Sequence, residues 1–137
     1  MKGTNVENIG SKEDHDLREK AAATEVAWAI LNNPEEGLKI WRIEKFKVVS
    51  IDVKNYGTFY NGDSYIILKT IKNQNDFTYN LHFWIGSKSS QDEYGTAAYK
   101  AVELDDFLKR IPRLYRETEL AMSDIFRSYF PQGLTIL

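Results

Sequence analysis

The segment from Ser90 to Arg110, SQDEYGTAAYKAVELDDFLKR, has the pattern of one long amphipathic helix. At about 100° of rotation per residue, one side of this helix carries an apolar stripe typical of packing against a core. A second apolar stripe lies on the far side of the helix. Because a helix that covers one sheet has no core on that side to pack against, we expect this stripe to contact a partner. The core stripe is Ala97, Ala101, Leu104 and Leu108, and the far stripe is Gly95, Ala98, Tyr99 and Val102.

The two ends of the predicted helix differ in character. Ser90 and Glu93 match a capping box, in which the hydroxyl and the carboxylate satisfy backbone N–H groups of the first turn. At the other end, Asp105 and Asp106 lie where the helix dipole is negative, at a cost of about 0.3–1 kcal/mol each. Three kinds of cation could compensate them: the basic pair one turn later, a metal ion, or a basic group of a partner.

Composition narrows the class of protein. With 137 residues and 42% hydrophobic content, the chain suits one domain with a real core. A net charge of −2 gives no electrostatic footprint for nucleic acid or for an anionic membrane. The absence of cysteine excludes a disulfide framework and a thiolate nucleophile, and it suits an intracellular protein. No run has the length of a signal peptide core or of a membrane span, so we expect a soluble, cytoplasmic protein.

The segment before the sheet is predicted to be an extension, residues 1–36. A polar lead-in is followed by an Ala-rich helix from Asp16 to Leu31, and Asn33-Pro34 ends it because the residue before proline is disfavoured in a helix. This helix packs on the domain or contacts a partner. Packing is favoured because Trp28 lies on its apolar side.

The remainder alternates in the manner of strands at 38–42, 46–53, 64–71 and 78–86, before the long helix, and at 113–117 and 133–137 after it. The third run is the most apolar and predicts a central strand covered on both faces. Asn61-Gly62 predicts a hairpin turn just before it. A short helix is expected at 123–129. Its predicted inward residues are Leu120, Ile125, Phe126 and Tyr129. This order indicates an α+β architecture with one sheet between helices.

Four runs, in this order and spacing, resemble the first domain of the gelsolin, villin and severin family, most closely its severin and fragmin branch. The resemblance implies that residues 37–137 form a gelsolin-type domain, with a mixed sheet of about five strands between one long and one short helix. The runs are GLKIWRIEKFKVV (Gly37 to Val49), YGTFYNGDSYIILKT (Tyr56 to Thr70), LHFWIG (Leu81 to Gly86) and QDEYGTAAYKAVELDDFL (Gln91 to Leu108).

The family resemblance implies actin binding. In that first domain the long helix lies in the hydrophobic cleft at the barbed end of actin, a helix-in-groove mode of recognition. The expected outcome is a monomeric protein that binds actin 1:1, sequesters monomers or caps filaments, and severs only weakly without a second domain. The cytoskeleton is the implied location. The implied actin-binding residues are Phe46, Gln91, Gly95, Ala98, Tyr99, Val102 and Asp106.

Calcium is the second implication of the resemblance. The family's intradomain calcium ligands correspond to the Gly62 carbonyl, Asp63 and Glu93, and oxygen donors of this kind suit a hard cation that takes 6–8 of them. A further calcium ion, shared with actin, corresponds to Asp105 and to carbonyls from a turn that contains glycine in relatives. In this chain the turn positions are Arg110 and Pro112.

Simpler roles compete with these assignments. Glu93 has a sufficient role in the capping box, Asp63 could merely close the turn, and Asp105 could belong to a solvated face. His82 is predicted to be a sheet residue without a metal partner. No catalytic or phosphate-binding motif is present, so we expect no enzyme. The alternative function is that of a gelsolin-type structural or trafficking module without affinity for actin.

Overall fold

The computed structural model of the chain describes residues 25–137. These residues form a sheet with a long helix on one face and a short helix on the other, which confirms the predicted α+β layers. The strands are β1 (Gly37–Glu44), β2 (Lys47–Ser50), β3 (Thr58–Phe59), β4 (Ser64–Lys72), β5 (Phe77–Ile85), β6 (Arg113–Thr118) and β7 (Thr135–Ile136). The helices are α1 (Gln91–Phe107), α2 (Asp124–Ser128) and the 3₁₀ helices Val26–Asn32 and Val53–Asn55.

The main sheet has five strands in the order β2-β1-β4-β5-β6. Its neighbours are antiparallel except for β5 and β6, which run parallel because α1 connects them as a crossover. The central strand is β4, and its residues from Ser64 to Leu68 are all buried, as its apolar sequence predicts. Strands β3 and β7 form a separate parallel pair.

Alternation along β4 builds a core on each face of the sheet. Ile66 and Leu68 face α1 and pack in one cluster with the predicted core stripe of that helix. Ile67, between them, faces the other way and packs with Phe126 of α2. Both faces are therefore covered, and α1 is held along the sheet with one side fixed inward.

The N-terminal helix differs from its prediction. Residues 16–24 lie outside the described part of the chain, and the part that is described, Val26–Asn32, is a 3₁₀ helix rather than an α-helix. Trp28 is fully buried in the α1-side core, which confirms that this segment packs on the domain. The boundary at residue 36 stays a prediction.

Two local expectations are wrong. The Asn61-Gly62 turn does not join a hairpin, because β4 pairs with β1 and β5 instead of with the strand that precedes the turn. In the short helix, Phe126 is buried, but Leu120 and Ile125 are exposed. Leu120 precedes the helix, and a five-residue helix buries only one narrow side.

No helix between residues 25 and 137 is both long and apolar enough to cross a bilayer.

Candidate functional site

The start of α1 has the predicted capping geometry. The Ser90 Oγ accepts a 3.1 Å hydrogen bond from the Glu93 backbone N–H, and the Glu93 carboxylate accepts one from the Ser90 backbone N–H at 3.4 Å. The core stripe of the helix is buried at every predicted position. The orientation of α1 is thus fixed at its first turn and along its inner side.

The turn between β1 and β2 brings Phe46 beside the N-terminal half of α1. Lys45 and Phe46 have φ angles of 49° and 68°, in the left-handed region. Left-handed backbone costs a non-glycine residue roughly 1–2 kcal/mol, and tight hairpins usually place Asn-Gly there. The side chain of Phe46 is nevertheless 64% exposed, so its own packing does not repay that strain.

A shallow groove of about 540 Å³ separates this turn from α1, and we call it the Phe46–Tyr99 groove. Four of the seven predicted actin-binding residues line it. Gln91, Gly95 and Tyr99 lie together because residues at positions i, i+4 and i+8 share one side of a helix. The four are Phe46, Gln91, Gly95 and Tyr99.

Four further groove residues were missed by sequence reasoning. Asp92, Thr96 and Lys100 form a second row at the same spacing, one position along from the predicted row. That periodicity was the available signal. Tyr94 also lines the groove and is 37% exposed, and no pattern in the sequence pointed to it.

Gly95 lies in the interior of α1, and within residues 25–137 no atom other than those of its chain neighbours and of the backbone of its own helix lies within 4 Å of the place where its Cβ would be. Glycine in a helix interior costs about 1 kcal/mol relative to alanine. Since the domain has room for a larger side chain here, its own packing gives no reason for glycine. A smooth helix surface beside exposed Phe46 and Tyr99 is what close approach of another molecule requires.

The far stripe is only partly a free surface. Tyr99 is 51% exposed and Gly95 is exposed, as predicted, but Ala98 is half-buried and Val102 is only 7% exposed. Asp106 is fully buried. The prediction that Val102 is exposed is wrong because the C-terminal half of α1 is covered on its far side as well as on its sheet side. Val102 belongs to the α1-side core cluster, which also contains Trp28 and Leu31 of the N-terminal 3₁₀ helix.

The acidic end of α1 is compensated locally. Arg110 Nη1 lies 3.3 Å from Asp106 Oδ1, which is the ion pair expected from the i, i+4 spacing. Asp105 is 1% exposed, and its carbonyl accepts a 2.7 Å hydrogen bond from the Arg110 backbone N–H. The burial of Asp105 argues against an ion that it shares with a second protein at the surface.

The predicted intradomain ligands lie where the loop before β4 meets the first turn of α1. Burial raises the pKa of Asp63; the charge of Arg42 lowers it, and the charges of Glu93 and Glu44 raise it. The charge of Glu93 thus acts unfavourably on the ionised Asp63 carboxylate. A cation between them relieves this repulsion, so the carboxylates and the Gly62 carbonyl fit a hard cation that completes its shell with water. No group of three or more acidic, histidine or cysteine side chains within residues 25–137 offers a fuller site.

A buried polar network on the α2 side was not predicted. His82 Nδ1 lies 2.8 Å from Glu117 Oε2, and its Nε2 lies 2.8 Å from the Tyr129 hydroxyl. Glu117 also accepts hydrogen bonds from the Ser123 hydroxyl and backbone N–H. Sequence analysis found no carboxylate partner for His82. Glu117, on the neighbouring parallel strand β6, is that partner.

These features define a class: an α+β domain whose long helix covers a mixed sheet and lines a shallow, exposed groove. Comparison with known families gives the same class. The Gelsolin repeat model matches residues 45–127, more than half of the chain. The chain therefore belongs to the gelsolin-repeat family, as the four sequence runs predicted.

Relatives support this assignment over nearly the whole chain. Gelsolin-like protein 1 of Lumbricus terrestris is 53% identical over 99% of this chain and 38% of its own length. Severin of Echinococcus granulosus is 42% identical over 94% of this chain and 35% of its own length. This chain thus spans little more than a third of those relatives. None of these names is that of an enzyme, in agreement with the prediction.

A solved structure shares the fold. It is described as the complex of Thorarchaeota 2DGel3 with rabbit actin, and it superposes with a TM-score of 0.57 at 23% identity. The match covers 74% of this chain and 46% of that one.

Proposed function

We propose that this domain binds actin through the Phe46–Tyr99 groove and the N-terminal half of α1, which docks in the barbed-end cleft of actin. The complex is 1:1, and its consequences are sequestration of monomers and capping of filaments in the cytoplasm. A single domain of this kind severs filaments poorly. Membership of the gelsolin-repeat family supports the choice of partner.

The observation that carries the proposal is the exposure of Gly95. It is exposed in the middle of a helix with open space above it, and two exposed aromatic rings flank it. Aromatic side chains are enriched in protein interfaces because they bury a large area at a small entropic cost. A bare helix surface between two such rings suits a partner that approaches the backbone closely.

Two of the predicted actin-binding residues contribute less to the proposed docking surface than the others. Val102 and Asp106 are buried by the chain itself and reach a partner only after the atoms over them move. The docking surface is therefore placed on Phe46, Gln91, Gly95 and Tyr99, with Ala98 at its edge. The energy of binding is expected to come chiefly from the two aromatic anchors.

Calcium assists binding in this proposal. Gly62, Asp63 and Glu93 hold the ion beside the first turn of α1, and Glu93 belongs to that turn. The ion relieves the electrostatic repulsion between Glu93 and Asp63 and so joins the loop before β4 to the first turn of α1. The proposal does not include an ion shared with actin at Asp105, because that residue is buried.

The test measures elongation of pyrene-labelled actin from filament barbed ends. The wild-type protein is expected to slow elongation, and a calcium chelator is expected to weaken the effect. Tyr99→Asp places a charge in the groove and should abolish slowing, whereas Thr78→Asp, on an exposed position of β5, should not. Normal elongation at saturating folded protein contradicts the proposal and favours a structural module without affinity for actin.

A further inference from the structure

Beside the proposed calcium ligands lies a guanidinium that no role yet explains. Arg42 is on β1, directly opposite Tyr65 of β4. Alternate residues of a strand share one face of the sheet. Glu44, two residues after Arg42, and Asp63, two residues before Tyr65, therefore come to the same end of the sheet. The proposed calcium site forms at that end.

Arg42 is held by Glu44 rather than by Asp63 among the ion pairs of the described residues. Arg42 Nη2 lies 3.2 Å from Glu44 Oε2, and both side chains are partly exposed. Burial lowers the pKa of Arg42, but the hydrogen bond to Glu44 and the charges of Glu44 and Asp63 raise it overall. The same charge of Arg42 lowers the pKa of Asp63. One fixed positive charge thus acts on the site without occupying it.

The charge of Arg42 is permanent because a guanidinium does not lose its proton in proteins. It attracts the carboxylate of Asp63, and it repels a divalent ion that binds there. Glu44 acts in the opposite direction, since it holds the guanidinium aside and adds a negative charge near the ion.

We propose that the Arg42–Glu44 pair sets the calcium affinity of the site formed by Gly62, Asp63 and Glu93. Arg42 is a positioned counter-charge that keeps the affinity low, and Glu44 limits its effect. This inference rests on the proposed calcium binding. It goes further because it assigns the affinity to two residues that are not ligands of the ion.

Isothermal titration of the full chain with calcium chloride tests the inference. Arg42→Gln is expected to tighten calcium binding by about threefold to tenfold, the scale of one nearby charge at a partly exposed site. Glu44→Gln is expected to weaken it. Arg42→Lys keeps the charge and should remain close to the wild type.

Lys69→Gln is the matched control. It removes the same charge from β4, but six residues along the strand from Asp63, a distance of roughly 20 Å. Since salt screens charges beyond about 8 Å at physiological ionic strength, it should leave calcium affinity unchanged. Circular dichroism of each variant checks that the fold is retained.

Each result has a distinct meaning. Equal affinity of the wild type and folded Arg42→Gln, or weaker binding by that variant, overturns the role of Arg42 while calcium binding stands. Tighter binding by both Arg42→Gln and Arg42→Lys also overturns it, because the charge is then not the cause. Absence of calcium binding in every protein, the wild type included, overturns the proposed calcium site and this inference with it.

Discussion

The indole Nε1 of Trp28 donates a 3.0 Å hydrogen bond to Glu103 Oε1, joining the N-terminal 3₁₀ helix to α1 across 75 positions of sequence. Lys100 completes the connection, since its Nζ lies 2.7 Å from Glu25 and 3.1 Å from Glu103. Lys100 also lines the Phe46–Tyr99 groove. The N-terminal segment therefore supports the helix immediately behind the proposed docking surface.

Trp28→Phe is expected to destabilise the domain by about 1–3 kcal/mol, because it keeps a buried ring but deprives the buried Glu103 carboxylate of its indole donor. Urea unfolding monitored by circular dichroism measures the change. Glu25→Gln is the matched control. It alters an outer, partly exposed member of the same network and should cost less than about 1 kcal/mol. Equal stability of Trp28→Phe and the wild type would show that the hydrogen bond contributes nothing to folding.

Gly95→Ala separates folding from docking. The new methyl group meets no described atom beyond its own helical segment within 4 Å, so the variant should be more stable than the wild type by up to about 1 kcal/mol. The same methyl group occupies the space that a partner needs, so actin affinity should fall. Thermal unfolding and co-sedimentation with actin measure the two effects. A variant that is stabilised and binds actin normally would contradict a docking role for Gly95.

The strained turn at Lys45 and Phe46 allows a similar separation. Replacing either residue by glycine removes left-handed strain and should stabilise the fold by up to roughly 1–2 kcal/mol. Lys45→Gly should leave actin binding intact, because Lys45 does not line the groove. Phe46→Gly should weaken binding severalfold, because it removes an exposed aromatic anchor. Equal binding by the two variants would count against Phe46 as a contact.

Sequence reasoning succeeded where the signal is local. The capping box of Ser90 and Glu93 spans one helical turn, and the core stripe of α1 follows helical periodicity alone, so both were predicted correctly. The prediction that Val102 is exposed was wrong because its burial depends on what covers the far side of the helix. Helical periodicity carries no information about that cover. The family resemblance supplied the site residues, but the tertiary structure was needed to show that four of them, Phe46, Gln91, Gly95 and Tyr99, line one groove.

The hydrogen-bond network of His82 also depends on tertiary structure that the sequence does not report. It predicts that the stability of the domain depends on pH. Burial lowers the pKa of His82 below its ordinary 6.5, although the hydrogen bond to Glu117 raises it. The unfolded chain therefore binds a proton that the folded chain does not, so stability should fall as the pH drops through about 6.5. With His82 neutral, Nδ1 donates to Glu117 and Nε2 accepts from Tyr129, whose pKa burial raises.

Comparison with His82→Gln isolates this effect. The variant should be less stable at pH 7.5, because it breaks a buried network, but it should lose less further stability than the wild type between pH 7.5 and 5.5. Urea unfolding at both values gives the difference. Burial raises the pKa of Glu117, but hydrogen bonds from His82 and Ser123 lower it overall, so its contribution is lost only at more acidic pH. Parallel pH profiles of the two proteins would exclude His82 as the titrating group.

Gly86 holds the proposed calcium loop in place through a close backbone approach. Its N–H donates a 3.0 Å hydrogen bond to the Asp63 carbonyl, and a Cβ at this position would clash with the Asn61 carbonyl oxygen. Gly86→Ala must therefore displace the loop that carries Gly62 and Asp63. We expect destabilisation of about 1–3 kcal/mol, in the range of a strained core substitution, and calcium affinity lowered by about tenfold or more.

Calcium titration and thermal unfolding of Gly86→Ala measure the two effects, with Gly95→Ala as the matched control. Both variants add one methyl group to an α-carbon, but the second adds it to open space on the far side of α1. Wild-type calcium affinity in a destabilised Gly86→Ala protein would mean that the position of this loop does not determine the site. Loss of calcium affinity in both variants would mean that calcium binding depends on the conformation of α1 rather than on the position of the loop. Loss in Gly86→Ala alone is expected, since only that residue touches the backbone on which Asp63 is carried.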